Sequence, residues 1–251
     1  MAMRVDILTL FPEMFEPIVA TSIIGRAAAA GVVEVTVTDI RDFAANRHRN
    51  VDDAPFGGGP GMVMTCQPVF DAVEAVRAQV ATPGPVVLLT PQGRRLDQEI
   101  VGELARRDRL ILVAGHYEGF DERIRQGLAD VEISLGDFVL SGGEIPAMAL
   151  LDAVVRLLPG ALGEPASTEE ESFSMGLLEY PQYTRPRVFR GMAVPDVLLN
   201  GDHARIAAWK QQQALERTRR RRPELWQKYQ SQNNHPPAGK LPGAGQKGES
   251  P

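Results

Sequence analysis

The stretch Leu110–Pro146, LILVAGHYEGFDERIRQGLADVEISLGDFVLSGGEIP, contains two apolar runs that are each followed by glycines. Two apolar runs within it, Leu110–Ala114 and Val131–Leu135, predict buried strands, and each ends in a glycine-bearing segment. A third run, Val86–Thr90, ends in the same way at Pro91–Gly93. Ligands of open α/β sheets lie at the carboxyl ends of the strands, where glycines let the backbone approach them. The three strand ends therefore predict a ligand site, although three ordinary strand–loop–helix turns would produce the same pattern.

Strands alternating with helices surround this stretch. Strands are also predicted at Arg4–Leu10 and Val32–Asp39, and a polar, glycine-rich loop at Arg41–Cys66, which its length predicts to be functional or disordered. The alternation predicts a mostly parallel α/β sheet with helices on both faces, of the doubly wound kind. The predicted helices are Pro12–Gly31, Gln67–Val80, one starting near Asp97, Asp121–Leu128, Ile145–Leu158 and His203–Arg222.

The composition is that of a packed globular protein, with 251 residues of which 43% are hydrophobic. The one cysteine, Cys66, excludes an intrachain disulfide and indicates a reducing compartment. No secretory signal pattern is found at the start, and no apolar run approaches the roughly 20 residues of a membrane span. We therefore expect a cytoplasmic protein without a membrane segment.

Charge is distributed unevenly along the chain. Residues 1–173 hold 14 Lys and Arg against 26 Asp and Glu, whereas residues 174–230 hold 11 against 5. The net charge of -5 alone argues against a nucleic-acid binder, but this asymmetry predicts that the second part meets a polyanion. A basic helix face exposed to solvent is the alternative.

The composition also changes along the chain and predicts its domains. After Pro159 the chain becomes polar and acidic without periodicity, and the last residues are rich in Pro, Gly, Gln and Asn. We predict a first domain at 1–160 that contains the three strand ends, a flexible linker at 161–174, a small, mainly helical domain at 175–230 and a disordered tail at 231–251.

Five motifs, in order, resemble the bacterial tRNA (guanine-N1)-methyltransferase family of the SPOUT methyltransferases. Two lie in the opening stretch, and the others are Phe56–Met64 (FGGGPGMVM), Leu89–Leu96 (LTPQGRRL) and Gly176–Pro186 (GLLEYPQYTRP). The resemblance implies transfer of a methyl group from S-adenosylmethionine to N1 of guanine 37 in tRNA. It also implies a trefoil knot formed by the Leu88–Met148 region and a homodimer whose subunits share the active site.

The resemblance assigns donor binding to residues of the three strand-end segments. Phe138 departs from the family, where tyrosine is common, so a hydroxyl contact is lost while the ring remains. A nucleotide phosphate site is the weaker alternative, because neither a P-loop nor a dinucleotide-binding glycine motif is present. The assigned residues are Leu88, Leu89, Pro91, Gly115, Tyr117, Glu118, Ser134, Leu135, Gly136, Asp137, Phe138, Val139, Leu140, Gly142, Gly143 and Pro146.

Methylation of guanine N1 requires removal of a proton and stabilisation of charge on O6, which suit a carboxylate and a guanidinium. The resemblance assigns these roles to Glu171, where relatives usually have Asp, and to Arg156. Glu169 or Glu170 replaces Glu171 if the linker register shifts. Arg156 could instead form a plain salt bridge with Asp152.

The remaining expectations concern tRNA and metal. We predict tRNA contacts at Arg26, His48, Asp52, Glu179, Tyr183 and Arg185. Zinc is not expected because His48 has no suitably spaced second ligand, and Mg²⁺ dependence follows from the resemblance alone. Two other functions stay open: a SPOUT ribose 2′-O-methyltransferase, and a non-catalytic RNA-binding protein on a decayed methyltransferase fold.

Overall fold

A computed structural model describes residues 2–163 and 171–233. The chain divides into two compact units, Met1–Pro165 and Ala166–Pro251. Residues 164–170 of the predicted linker, with Glu169 and Glu170, and residues 234–251 of the predicted tail lie outside the described residues.

The first unit contains seven of the strands and six of the α-helices found in the described residues. Its strands are β1 (Met3–Thr9), β2 (Val33–Asp39), β3 (Asp52–Asp53), β4 (Val63–Met64), β5 (Val86–Arg95), β6 (Arg109–Ala114) and β7 (Val131–Ser134). Its helices are α1 (Glu16–Ala20), α2 (Ser22–Ala29), α3 (Cys66–Gln79), α4 (Gln98–Ala105), α5 (Glu122–Leu128) and α6 (Glu144–Val155).

Five of these strands form one sheet in the order β2-β1-β6-β5-β7, and every pair is parallel. The central strand β6 is buried along its whole length, which explains its uninterrupted apolar run. Side chains of α2, α4 and α6 pack on one face of the sheet, and those of α3 and α5 on the other. The prediction of a parallel α/β sheet with helices on both faces is therefore confirmed.

The single helix predicted at Pro12–Gly31 is wrong. The segment forms a 3₁₀ turn at Pro12–Met14 and then the separate helices α1 and α2. Between them Thr21 is extended and Ser22 has a φ of 54°, in the left-handed region. A left-handed residue interrupts the helical hydrogen-bond ladder, so the chain changes direction there.

The predicted end of the third strand at Thr90 is also wrong, because β5 continues to Arg95. Its register against β7 shifts between Leu89 and Arg94, so Pro91–Gly93 forms an irregularity inside the strand. A Cβ on Gly93 would lie 2.3 Å from the Ile133 nitrogen, which explains the glycine.

The predicted loop Arg41–Cys66 contains more structure than expected. A 3₁₀ turn covers Ile40–Phe43, and β3 pairs with β4 in a short antiparallel hairpin. The hairpin turn contains positive φ angles at Gly57, Gly58, Gly59 and Gly61, which explains its glycine content.

The second unit contains the hairpin of β8 (Val188–Phe189) and β9 (Met192–Ala193), followed by α7 (His203–Arg221) and α8 (Pro223–Asn233). Residues 231–233, predicted to belong to a disordered tail, form the end of α8. Thr218 is buried on α7, where its hydroxyl donates to the Ala214 carbonyl and accepts from the Leu178 N–H. In the part of the chain that the structure describes, no helix is both long and apolar enough to span a membrane.

Candidate active site

A cavity of about 210 Å³ opens in the first unit where β5, β6 and β7 meet their loops. Its wall consists mainly of the segment after β6 and the segment between β7 and α6. Thirteen of the residues predicted to bind a methyl donor line it: Leu89, Pro91, Gly115, Tyr117, Glu118, Ser134, Leu135, Phe138, Val139, Leu140, Gly142, Gly143 and Pro146.

The other three predicted donor residues do not line the cavity. Leu88 is fully buried in the core formed with α3 and α5. Asp137 is exposed and lies 3.5 Å from the guanidinium of Arg95. The Gly136 carbonyl accepts hydrogen bonds from the Phe138 N–H and the Ser134 hydroxyl, so Gly136 shapes the turn beside the cavity.

The two main wall segments are joined through their backbones. The Gly143 N–H donates to the Gly115 carbonyl at 2.6 Å, and His116 forms an antiparallel bridge with Gly142. A Cβ on Gly143 would lie 2.6 Å from the Gly115 nitrogen and 2.8 Å from the Ala114 Cα. This part of the wall is therefore built from closely packed main chain, and the charged side chains of Glu118 and Arg125 line other parts of the cavity.

The glycine-rich β3–β4 hairpin is attached to the same wall. Glu118 donates its N–H to the Met62 carbonyl, and Met64 donates its N–H to the Gly119 carbonyl, each at 2.9 Å. At the hairpin turn the Phe56 side chain is fully exposed. Of the predicted tRNA contacts in this unit, Arg26 and His48 are exposed and Asp52 is half-buried in β3.

A charged group at the start of α5 lies next to the free thiol of Cys66. The Arg123 guanidinium donates to Asp121 at 2.7 Å and holds the pKa of that carboxyl well below its usual range. Burial, and then the neighbouring Asp121 carboxylate, raise the pKa of the Cys66 thiol. A raised pKa disfavours the thiolate, so this cysteine is poorly suited to act as a nucleophile.

The two predicted catalytic residues belong to different units. Arg156 is half-buried and caps the C-terminal end of α6 in the first unit. Glu171 is half-buried in the second unit, where its carbonyl accepts from the Ser174 hydroxyl at 2.7 Å. Glu171 also lines a largely apolar pocket of about 340 Å³, together with Glu179, Tyr180, His203 and Lys210.

Cations and aromatic rings lie close together in the second unit. The Lys210 ammonium lies 4.4 Å above the Tyr180 ring, and the Tyr183 and Trp209 rings are 6.4 Å apart. Arg219, Arg220 and Arg221 form the last turn of α7. Arg185 and Tyr183 are exposed, as an RNA contact requires.

Sequence reasoning missed several cavity residues, among them His116, Gln92 and Arg125. It also missed Glu144, a carboxylate that is only 2% exposed at the start of an apolar helix. A charged residue in an otherwise buried position is a detectable sequence signal. Among residues 2–163 and 171–233, no group of three or more His, Cys, Asp or Glu side chains could hold a metal ion.

Comparison with known proteins identifies relatives along nearly the whole chain. A family profile described as tRNA (Guanine-1)-methyltransferase TrmD matches residues 3–228. A tRNA (guanine-N(1)-)-methyltransferase of Moorella thermoacetica is 60% identical over 225 residues, which cover 89% of this chain and 90% of the relative. The enzyme of that name from Gloeobacter violaceus is 58% identical, and the match covers 89% of this chain and 98% of the relative. The one from Geobacillus kaustophilus is 56% identical, and the match covers 90% of this chain and 93% of the relative.

Proposed function

The chain belongs to the tRNA (guanine-1)-methyltransferase family, and on that premise we propose that it transfers a methyl group from S-adenosylmethionine to N1 of guanine 37 in tRNA. The observation that carries the proposal is the glycine-walled cavity, because thirteen of the sixteen residues that the family resemblance assigns to the donor line it.

The chemistry of the cavity suits this donor. An adenine can be bound by backbone groups in an apolar slot, and the cavity combines closely packed backbone with the side chains of Leu89, Leu135 and Leu140. Gly143 leaves no space even for a methyl group, because it packs directly against the backbone of Ala114 and Gly115 in the cavity wall. S-adenosylmethionine supplies an electrophilic methyl group when bound.

The residues of this chain then supply the proton chemistry. Guanine N1 carries a proton at neutral pH, and the Glu171 carboxylate accepts it as the new N1–methyl bond forms and the bond from methyl to sulfur breaks. The Arg156 guanidinium stabilises the negative charge that develops on guanine O6.

The organisation of the protein follows from the same proposal. Residues 1–160 hold the donor and residues 175–230 bind tRNA in a cytoplasmic homodimer whose subunits share the active site. The region Leu88–Met148 forms the trefoil knot of the family. The described residues contain no group of three or more His, Cys, Asp or Glu side chains that could hold a metal ion, and Mg²⁺ dependence rests on the family resemblance alone.

The test is methylation of transcribed tRNA that carries guanine 37, followed by mass spectrometry of the nucleosides. We expect 1-methylguanosine with the guanine 37 transcript and none with an adenine 37 transcript. A 2′-O-methylated product would overturn the proposal in favour of the ribose methyltransferase. Binding of tRNA without any product would favour the non-catalytic RNA-binding protein.

A further inference from the structure

Behind the donor cavity lies a cluster of buried polar side chains that the proposed reaction does not use. The Thr9 hydroxyl donates to Glu144 Oε1 at 2.9 Å, and both residues are buried. Glu144 Oε2 lies 3.7 Å from His116 Nδ1. Within the described residues this buried Nδ1 has no hydrogen-bond partner. His116 lines the cavity, and its side chain is 22% exposed.

The orientation of the carboxylate in this cluster is determined by its neighbours. Thr9 accepts the Phe11 N–H at 3.0 Å, so its own proton is available for Glu144 Oε1. This hydrogen bond leaves Oε2 directed towards His116. Burial of a carboxylate costs free energy unless its oxygens accept hydrogen bonds. Oε2 faces the imidazole at 3.7 Å, which is too long for a hydrogen bond, so this oxygen can still accept one.

Gly142 lies next to both the Glu144 carboxylate and the His116 imidazole. A Cβ on Gly142 would lie 2.2 Å from Glu144 Oε2 and 2.5 Å from His116 Nδ1. The φ of Gly142 does not lie in the left-handed region, so backbone conformation does not explain the glycine. Because Gly142 has no side chain, the Glu144 carboxylate and the His116 imidazole can face each other directly.

We propose that Thr9, Glu144 and His116 form a relay that positions the bound methyl donor. A modest rotation of the imidazole brings Nδ1 within hydrogen-bond distance of Glu144, which keeps the proton on Nδ1. Nε2 is then an acceptor for an O–H or N–H group of the donor in the cavity. The inference rests on the proposed function, since it assigns a role in binding that donor.

Two substitutions of His116 separate its nitrogens. In His116→Asn the amide N–H replaces Nδ1 and nothing replaces Nε2, whereas in His116→Gln the amide lies near the position of Nε2. By calorimetry, we expect His116→Asn to weaken S-adenosylmethionine binding about tenfold, as loss of one hydrogen bond does, and His116→Gln to stay within about threefold of the wild type. The wild type and both variants should have the same unfolding midpoint when it is measured without donor.

The same titrations with methylthioadenosine, which lacks the amino-acid part of the donor, identify the group that Nε2 accepts from. A loss that persists with this probe assigns the contact to the ribose or adenine, and a loss that disappears assigns it to the ammonium. The proposal is overturned if His116→Asn binds S-adenosylmethionine as tightly as the wild type. It is also overturned if Asn and Gln weaken binding equally, because the ring then acts only by packing.

The contribution of Glu144 is tested by a double-mutant cycle. We expect Glu144→Gln to weaken donor binding, and the double variant with His116→Asn to be no weaker than His116→Asn alone. The exposed Glu103→Gln is the charge-matched control and should bind as the wild type does. Additive losses would overturn the relay. Failure of the wild type to bind S-adenosylmethionine or to methylate tRNA would instead contradict the proposed function.

Discussion

The backbone N–H of Gly143 donates to the carbonyl oxygen of Gly115 at 2.6 Å, and this bond joins the segment after β6 to the start of α6. A Cβ on Gly143 would meet backbone atoms of Ala114 and Gly115 at 2.6 to 3.0 Å, and backbone cannot move aside as a side chain end can. The shape of the donor cavity therefore depends on this contact.

We predict that Gly143→Ala separates the two segments and weakens S-adenosylmethionine binding at least tenfold in calorimetry. Overpacking of this kind also destabilises the fold, by about 1–3 kcal/mol. Gly102→Ala on α4 is the control, because its Cβ would meet only the end of the Arg106 side chain at 3.9 Å. The control should keep full donor affinity and, if anything, gain about 1 kcal/mol of stability. Wild-type affinity in Gly143→Ala would contradict the prediction.

The role of Glu171 as a base predicts a defect in the chemical step alone. Glu171→Gln keeps the size of the side chain but cannot take the N1 proton, so the single-turnover rate should fall about 10²–10⁴-fold. The affinities for donor and for tRNA should stay near those of the wild type.

Glu169→Gln and Glu170→Gln are the controls for Glu171→Gln, since they remove the same charge from the same run of sequence. If the single-turnover rate of either control falls as far as that of Glu171→Gln, the assignment of the base to Glu171 is wrong. If all three stay within a few-fold of the wild type, Glu179, which lines the same pocket as Glu171, becomes the candidate.

Replacement of Arg219, Arg220 and Arg221 by Ala should weaken tRNA binding and flatten its dependence on salt. Each lost phosphate contact reduces the slope of log K against log salt by about one unit. Arg106→Ala with Arg107→Ala, which removes exposed arginines from the first unit, should leave the slope unchanged. Filter binding from low to high salt measures this slope. An unchanged slope in the triple variant would assign the contacts to Arg185, Arg187 and Arg190.

The buried ion pair of Asp6 and Arg109 predicts a large loss of stability in Asp6→Asn. Arg109 is 1% exposed and donates to Asp6 at 2.8 Å, so the variant leaves a buried cation without its counter-charge. Such a loss typically costs about 3–5 kcal/mol, measurable by urea unfolding. Glu34→Gln, which removes an exposed partner of Arg4, should cost no more than about 1 kcal/mol. Equal costs would show that burial of Arg109 does not matter.

The raised pKa of Cys66 predicts slow alkylation at pH 8, because less thiolate is present than in a free cysteine. Asp121→Asn should accelerate alkylation, since the neighbouring negative charge disappears while Arg123 remains to stabilise the thiolate. Mass spectrometry with iodoacetamide measures the rate at this one cysteine. Glu122→Gln removes a carboxylate one residue away and should leave the rate unchanged. Equal rates in the two variants would refute the effect of Asp121.

The five strands of the parallel sheet and the glycine segments after β6 and β7 could be predicted from the sequence, because the residues that specify them are neighbours in the chain. An apolar run such as Leu110–Ala114 has few alternatives to a buried strand once glycine follows it. The position of the ligand site was predicted in the same way, since parallel strands bring their carboxyl ends to one edge of a sheet. The break between α1 and α2 at Ser22 was not predicted, because the apolar pattern continues on both sides of it.

Local sequence patterns predicted the buried strand at Leu110–Ala114, the glycine segments after β6 and β7, and the main segments that line the cavity. These patterns did not predict that β1 lies beside β6 or that Thr9 contacts Glu144, 135 residues away. Such contacts result from the packing of the whole sheet and its helices, which no local pattern encodes. The fit of Gly142 between Glu144 and His116 likewise depends on distances of a few ångströms, which exist only after the strands have packed.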